Sequence, residues 1–357
     1  MSHCSHFGLC GGCAYDDTRQ PDKRALLVDA LAQAGYVGCD VAPLSPVGLH
    51  ARRRVDLAAT RKGVEIRLGL HRARSADVVD MQECILLQPG FLPLLPPLRE
   101  LLRGLQAFRQ ELSLAINWLD NGPDVLLRPD AALTPSDRKR LVEFAKMHGL
   151  PRLSVAEPKR TAEPILILET PVLRLAGVDV TPPPGGFLQA SASGEAAIIA
   201  CMLAGLPKLK SKSGIIELYS GCGTLTFALA QKARVEAYEG DEEAVQAAER
   251  AARASGLAGR VQVTRRDLQR RPLLTQDFRG VDAVVLDPPF TGAGAQMKFL
   301  APAGVERLIY ISCNPVALAH DAMMLKRSGY KLLAATPIDQ FPFSNNLESV
   351  VVFDLKR

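Results

Sequence analysis

Two rhythms of apolar and polar residues divide the chain. Up to about residue 180, short alternating segments (52–58, 64–70, 76–80) put every second residue on one face, the pattern of half-buried antiparallel strands. Apolar residues at helical spacing follow at 91–110 and 136–148. Beyond residue 190, short apolar runs recur at 215–219, 235–238, 261–264, 283–286, 308–312, 332–335 and 350–353. Runs this short read as buried strands. Helical patterns at 224–232, 241–255 and 316–328 separate several of them, so a doubly wound parallel sheet is predicted. A long loop with no helix joins the last two strands, which allows the final one to run antiparallel. Between the two rhythms, three prolines and two glycines at 182–186 mark a linker or turn.

Composition narrows the class. The 357 residues are 47% hydrophobic and 23% charged, ordinary for a globular protein, and the length suggests two domains. No apolar run reaches the ~18 residues of a membrane span. Met-Ser-His-Cys-Ser-His at the start has neither a basic nor an apolar signal region, so a cytoplasmic protein is expected. Residues 50–74 hold eight Arg and Lys against Asp56 and Glu65, a net +6 in a chain whose total is +5. Positive charge gathered in one segment points to a phosphate-bearing partner, with Arg52, Arg53, Arg54, Arg72 and Arg74 as candidate nucleic-acid contacts. A solvated strand face is the plainer alternative.

The segment Gly-Ile-Ile-Glu-Leu-Tyr-Ser-Gly-Cys-Gly-Thr-Leu-Thr, 214–226, reads as strand, glycine turn and helix. Gly221 and Gly223 let the backbone approach a ligand closely, and Tyr219 leads into the turn. Glu239, ending the next strand, suits two ribose hydroxyls. Thr226 stands where a dinucleotide fingerprint needs its third glycine, which favours S-adenosylmethionine over a dinucleotide. Asp267, after the third strand, is a candidate adenine contact. Strand four ends Asp287-Pro288-Pro289-Phe290, a stiff platform with an acid facing the cleft. The same motif resembles that of methyltransferases acting on exocyclic amino groups, so two chemistries stay open at this point.

Eight cysteines in a reducing compartment are better metal or catalytic candidates than disulfides. Cys4, Cys10, Cys13 and the remote Cys84 form a four-thiol set whose spacing fits zinc and an iron–sulfur cluster equally. Cys39, Cys201 and Cys222 have no partner pattern and read as small buried hydrophobes. Cys313 ends a strand and precedes a helix that begins at Asn314-Pro315; a helix N-terminus there would lower its pKa and make it a nucleophile. Glu348 opens the final strand after a turn-rich loop and is expected to return to the same cleft. A thiol and a carboxylate base are what methylation at carbon 5 of a pyrimidine requires. Thiol addition at carbon 6 makes carbon 5 nucleophilic enough to take a methyl group, and a base then removes the carbon-5 proton as the thiol is eliminated.

These motifs together resemble the RNA 5-methyluridine methyltransferases, which act on uracil in tRNA and 23S rRNA. Cys10-Gly-Gly-Cys13 with its outlying cysteines, Phe187-Leu-Gln189-Ala-Ser, Glu217-Leu-Tyr-Ser-Gly-Cys-Gly, Leu286-Asp-Pro-Pro, Tyr310-Ile-Ser-Cys-Asn-Pro and Phe341-Pro-Phe-Ser-Asn-Asn-Leu-Glu348 occur in family order along nearly the whole chain. The resemblance implies a class I methyltransferase fold, Rossmann-like with a seven-stranded sheet, plus an N-terminal iron–sulfur segment and a smaller β-rich RNA-binding domain. It implies a 4Fe-4S cluster on Cys4, Cys10, Cys13 and Cys84. It implies S-adenosylmethionine contacts from Gln189, the Gly221 loop, Glu239 and Asp287, with Cys313 as nucleophile and Glu348 as base.

The expected divisions are 1–20 for the cysteine segment, 21–43 for a helix packing on the catalytic domain, 44–180 for RNA binding, and 181–357 for catalysis. The substrate is expected to be rRNA rather than tRNA, and the protein a monomer. Three positions depart from the family: Phe290 replaces its usual Arg, Ser344 its Thr and Asn346 its His. The cysteines stand at the start of the chain, so the extra N-terminal β-barrel of some members is not expected. The basic segment is then expected to do more of the RNA positioning.

Overall fold

A computed structural model describes residues 4–16, 19–210 and 213–355. Parts of the expected segments 1–20 and 181–357 therefore lie outside the described residues. Two sheets organise the chain. The first has the order Ser45–Pro46, Lys331–Asp339, Glu348–Asp354, Arg307–Ser312, Ala283–Leu286, Gly214–Leu218, Arg234–Glu239, Val261–Arg265. All its pairings are parallel except those of Glu348–Asp354, which runs antiparallel to both neighbours. Its central strands are buried on both faces, which is why their sequences are unbroken apolar runs such as Ala283-Val-Val-Leu286. The sheet has eight strands and not the expected seven, because Ser45–Pro46 adds a short parallel edge beside Ile338 and Asp339.

The second sheet has the order Val78–Asp80, Glu65–His71, Arg54–Lys62, Glu111–Leu119, Gly122–Pro129, Arg152–Val155, Glu163–Ile167. Arg54–Lys62 shows the alternation that its sequence carries, with Val55, Leu57 and Ala59 buried. Helices Phe91–Gly104 and Pro135–Met147 cover the apolar face of this sheet. The first stops at Gly104, short of the expected 110, because Leu105 turns extended. Arg152 makes a bidentate pair with the buried Asp124 and also donates to the Pro182 carbonyl, 2.8 Å away, tying the sheet to the proline linker.

The cores do not divide at the linker. Leu173, Leu175, Val178 and Val180, in a hairpin that precedes it, share a core with the first sheet. Helix Lys23–Gln33 lays Leu27 and Leu31 against that sheet's other face and packs on helix Pro315–Arg327. Lys23 is buried with Asp339 and the Phe341 carbonyl as its partners. Among the described residues, no helix is long and apolar enough to cross a membrane.

Candidate active site

The C-terminal ends of the parallel strands share one edge, where ligands of open α/β sheets bind. After Leu218 the backbone reverses: Tyr219 has φ +66°, and it and Ser220 donate to the Tyr238 carbonyl. Gly221 (φ +54°) and Gly223 (φ +99°) continue the turn, and a Cβ on Gly223 would collide with the Phe227 ring. A non-glycine residue held left-handed costs energy that the surrounding fold must offset, and such strain collects at functional sites. Glu239, ending the adjacent strand, accepts from the backbone N–H groups of Gly221, Gly240 and Asp241.

The loop that ends at Glu348 reaches the same edge by register. In the antiparallel pair, Ser349 lies opposite Ser312, so Glu348 stands beside Cys313. The Ser349 hydroxyl donates to the Ser312 carbonyl and fixes this alignment. Asn314 caps helix Pro315–Arg327 by accepting from the Val316 N–H, and its amide donates to the Phe290 carbonyl at 2.8 Å. A hydrogen-bonded chain then crosses the site: Gln189 donates to Asp287 and accepts from Gln340, which also donates to Glu348.

A cavity of about 820 Å³ joins these parts. Tyr219, Gly221, Glu239 and Asp241 line one end, and Gln189, Asp287, Cys313 and Glu348 the other. Arg52, Arg54, Phe187, Phe290 and Phe341 form further wall, contributed in part by the second sheet. Its size suits a nucleoside cofactor with a base beside it.

Burial governs the electrostatics. It pushes the Glu348 carboxyl up to about 8, with Asp287 adding repulsion and the Gln340 hydrogen bond opposing. Asp287 is pushed up to about 7 by burial, against the Gln189 hydrogen bond. Two carboxyls this close titrate as a pair. Cys313 is pushed up to about 12, by burial first and then by Glu348 and Asp287. The expected lowering by the helix end is thus reversed: burial of the thiol, and then the repulsion of two acids, outweighs the helix.

Glu217 lies buried beneath the glycine turn, and both its oxygens lack a hydrogen-bond partner. The Thr226 hydroxyl is near enough to favour its charged form but not aligned to complete a hydrogen bond. Burial carries the Glu217 carboxyl up to about 8. Between the ordinary 4.5 and 8 the folded chain keeps a proton that the unfolded chain has released, so stability falls as pH rises through this window and levels off above it. Glu217→Gln removes that contribution, worth on the order of a few kcal/mol. The expected result in calorimetry is a variant whose melting temperature gains on wild type from pH 5 to pH 8; parallel profiles would contradict it.

Other sequence candidates are placed differently. Asp267 folds onto its own loop, accepting from the Gln269 and Arg270 N–H groups and pairing with Arg270, and does not line the cavity. Gly223 is likewise behind the wall. Arg53 is buried, donating to the Gln189 carbonyl and paired with Glu195, so it braces the site from within. Arg72 and Arg74 are exposed beside the cysteine segment, away from the cavity. Gln340 and Glu195 were not singled out from sequence; an amide just before the noted Phe341–Glu348 loop was the available signal.

Cys4, Cys10, Cys13 and Cys84 line a second, smaller cavity together with Arg52, Val55 and Leu70, which also border the first. Gly11 donates to the His71 carbonyl, and a Cβ there would meet that oxygen at 2.9 Å, so the loop needs glycine. Burial and then neighbouring sulfur charge raise the Cys13 thiol to about 11. Among the described residues, no three His, Cys, Asp or Glu side chains converge tightly enough to hold a single metal ion. Of the other cysteines, Cys222 is core, whereas Cys39 and Cys201 are only half-buried and flank the cores, in place of the full burial expected.

The sheet order and the edge site define a class I S-adenosylmethionine-dependent methyltransferase. A family profile described as tRNA (Uracil-5-)-methyltransferase matches residues 185–356. An uncharacterized RNA methyltransferase of Brucella melitensis is 36% identical over 99% of this chain and 84% of its own. A 23S rRNA (uracil(1939)-C(5))-methyltransferase of Edwardsiella ictaluri is 32% identical, covering 98% of this chain and 81% of its own. The solved structure of Pyrococcus abyssi tRNA (uracil-54, C5)-methyltransferase with S-adenosyl-L-homocysteine matches at a TM-score of 0.69 and 19% identity, over 92% of this chain and 83% of that one. The chain belongs to the RNA uracil-5 methyltransferase family, and is an S-adenosylmethionine-dependent RNA (uracil-5-)-methyltransferase.

Proposed function

We propose that the protein methylates carbon 5 of a uridine in 23S rRNA through a covalent adduct between Cys313 and carbon 6. The observation that carries this reading is the strand register that sets Glu348 beside Cys313 within the cavity that also holds the glycine turn. S-adenosylmethionine, when bound, supplies an electrophilic methyl on a sulfonium whose positive charge also favours the thiolate. Tyr219, Gly221 and Glu239 hold the nucleoside end, and Gln189 and Asp287 lie between it and Cys313. Cys313, as thiolate, adds to carbon 6, and carbon 5 takes the methyl group, leaving S-adenosylhomocysteine. Glu348, as carboxylate, removes the carbon-5 proton, and the carbon–sulfur bond breaks to return the thiolate. Methylation of an exocyclic amine at Asp287-Pro288-Pro289-Phe290 would give neither Cys313 nor Glu348 a task.

The second sheet, with Arg52 and Arg54 on the cavity wall, is the proposed RNA-binding unit; Arg72 and Arg74 extend it at the surface. A 4Fe-4S cluster is proposed on Cys4, Cys10, Cys13 and Cys84. Four thiols around one cavity match the donor set of such a cluster. The preference for rRNA follows the Edwardsiella relative.

The test is tritium release from RNA carrying [5-³H]uridine, with methyl-free 23S rRNA and tRNA supplied separately. Release from the rRNA with matching 5-methyluridine is expected. Release from tRNA alone would move the substrate, and RNA binding without release from either would replace an enzyme with a binding factor.

A further inference from the structure

Among the described residues, three phenylalanines are largely exposed, and two of them, Phe187 (65%) and Phe290 (56%), stand on the wall of the catalytic cavity. Water-facing aromatic rings at the rim of a site are unfavourable unless something covers them. We propose that Phe187 and Phe290 are a base-stacking pair that holds the RNA nucleotides flanking the target uridine as that uridine enters toward Cys313. This inference rests on the uracil-5 reading of the site and names what positions its substrate.

Both rings are mounted on stiff backbone. Phe187 follows Pro182-Pro183-Pro184, and the Gly186 carbonyl just before it accepts from both Arg54 and Asn117 at 2.9 Å. Phe290 follows Pro288-Pro289, and its carbonyl is held by the Asn314 amide one residue from the nucleophile. Rigid mounts keep the rings outward, so little freedom is lost when a base covers them. The occupant is indicated by charge as well as shape. The Arg54 guanidinium lies 5.8 Å from the Phe187 ring centre, and Arg52 lies 5.9 Å from that of Phe341 deeper in the cavity. Aromatic faces interleaved with arginine are the surface on which single-stranded nucleic acid stacks. Phe290 replaces the arginine usual in the family, so an apolar aromatic face stands at the rim where a charge is usual.

The chain has one tryptophan, Trp118, against Phe91 in the second sheet's core, so Phe290→Trp adds a reporter at the rim. Methyl transfer against RNA concentration would be measured for wild type, Phe290→Ala, Phe187→Ala and Phe290→Trp, with S-adenosylhomocysteine affinity as a control for folding. Each alanine variant is expected to raise the KM for RNA by ~10-fold or more, well beyond any loss in kcat, and to leave the salt slope of RNA binding unchanged. Phe290→Trp is expected to restore KM, with its fluorescence quenched by RNA. Wild-type KM in both alanine variants overturns the proposal, as does a tryptophan whose fluorescence ignores bound RNA. Lost S-adenosylhomocysteine affinity without rescue by tryptophan would mark a structural role and also overturn it. If wild type leaves uracil carbon 5 unmethylated yet RNA still quenches Phe290→Trp, the reaction fails and the stacking pair stands.

Discussion

Cys313→Ala is expected to lose methyl transfer by ~10⁴-fold or more, while the protein still folds and binds S-adenosylhomocysteine. Carbon 5 of uracil is too poor a nucleophile to take a methyl group unaided, and no other thiol lines the catalytic end of the cavity to raise its electron density. Cys222, also on the cavity wall, lies at its glycine-turn end and is almost wholly buried. Stability should change little, because Cys313 is half-buried at a strand end and alanine leaves the Ser312–Ser349 alignment intact. A thiol held up at about 12 adds a second expectation. Free enzyme should react slowly with an alkylating reagent at pH 7, and faster when S-adenosylmethionine is bound, since the positive sulfonium favours the thiolate. Undiminished methyl transfer by Cys313→Ala would return the site to amine chemistry.

Glu348→Gln separates the two halves of the reaction. Addition and methyl transfer need no base at carbon 5, whereas release does, so the variant is expected to collect as a covalent RNA–protein adduct while turnover falls ~10²- to 10⁴-fold. Gln340 already donates to this side chain, and glutamine can accept the same bond. In wild type the rate of release should rise with pH through about 8, where Glu348 loses its proton in concert with Asp287. The variant should lose that rise. Its stability should also gain on that of wild type as pH rises from 4.5 toward 8, because the folded wild type holds on to a proton there that the unfolded chain gives up. Rapid turnover by Glu348→Gln would assign proton removal elsewhere.

The elements that sequence made readable are those with one dominant pattern. Ala283–Leu286 and Arg307–Ser312 are apolar throughout because both their faces are covered, and the glycine turn announces itself by composition. Helix Ala192–Gly205 escaped notice because it is apolar almost all round and shows no stripe. Strands Glu111–Leu119 and Gly122–Pro129 were hidden beside helical runs, their buried residues breaking strict alternation at Leu114, Ala115 and Ile116.

The proposed pair Cys313 and Glu348 was legible as residue types, but not the Ser312–Ser349 register that joins them, which depends on pairing across 37 residues. Charge misled where it turned inward. Arg53 reads like its neighbours Arg52 and Arg54, yet strand alternation buries it against Glu195. The raised pKa of Cys313 follows first from burial and then from two acids that come from other strands, neither of which a local pattern contains.

The central claim is a carbon–sulfur bond between Cys313 and uracil, and its most direct measurement is the intact mass of Glu348→Gln incubated with S-adenosylmethionine and a short uridine-containing RNA. The account predicts a species heavier by the RNA plus one methyl group, with digestion placing the link on Cys313. Free RNA carrying 5-methyluridine, with no adduct formed under conditions that support methylation, would contradict it.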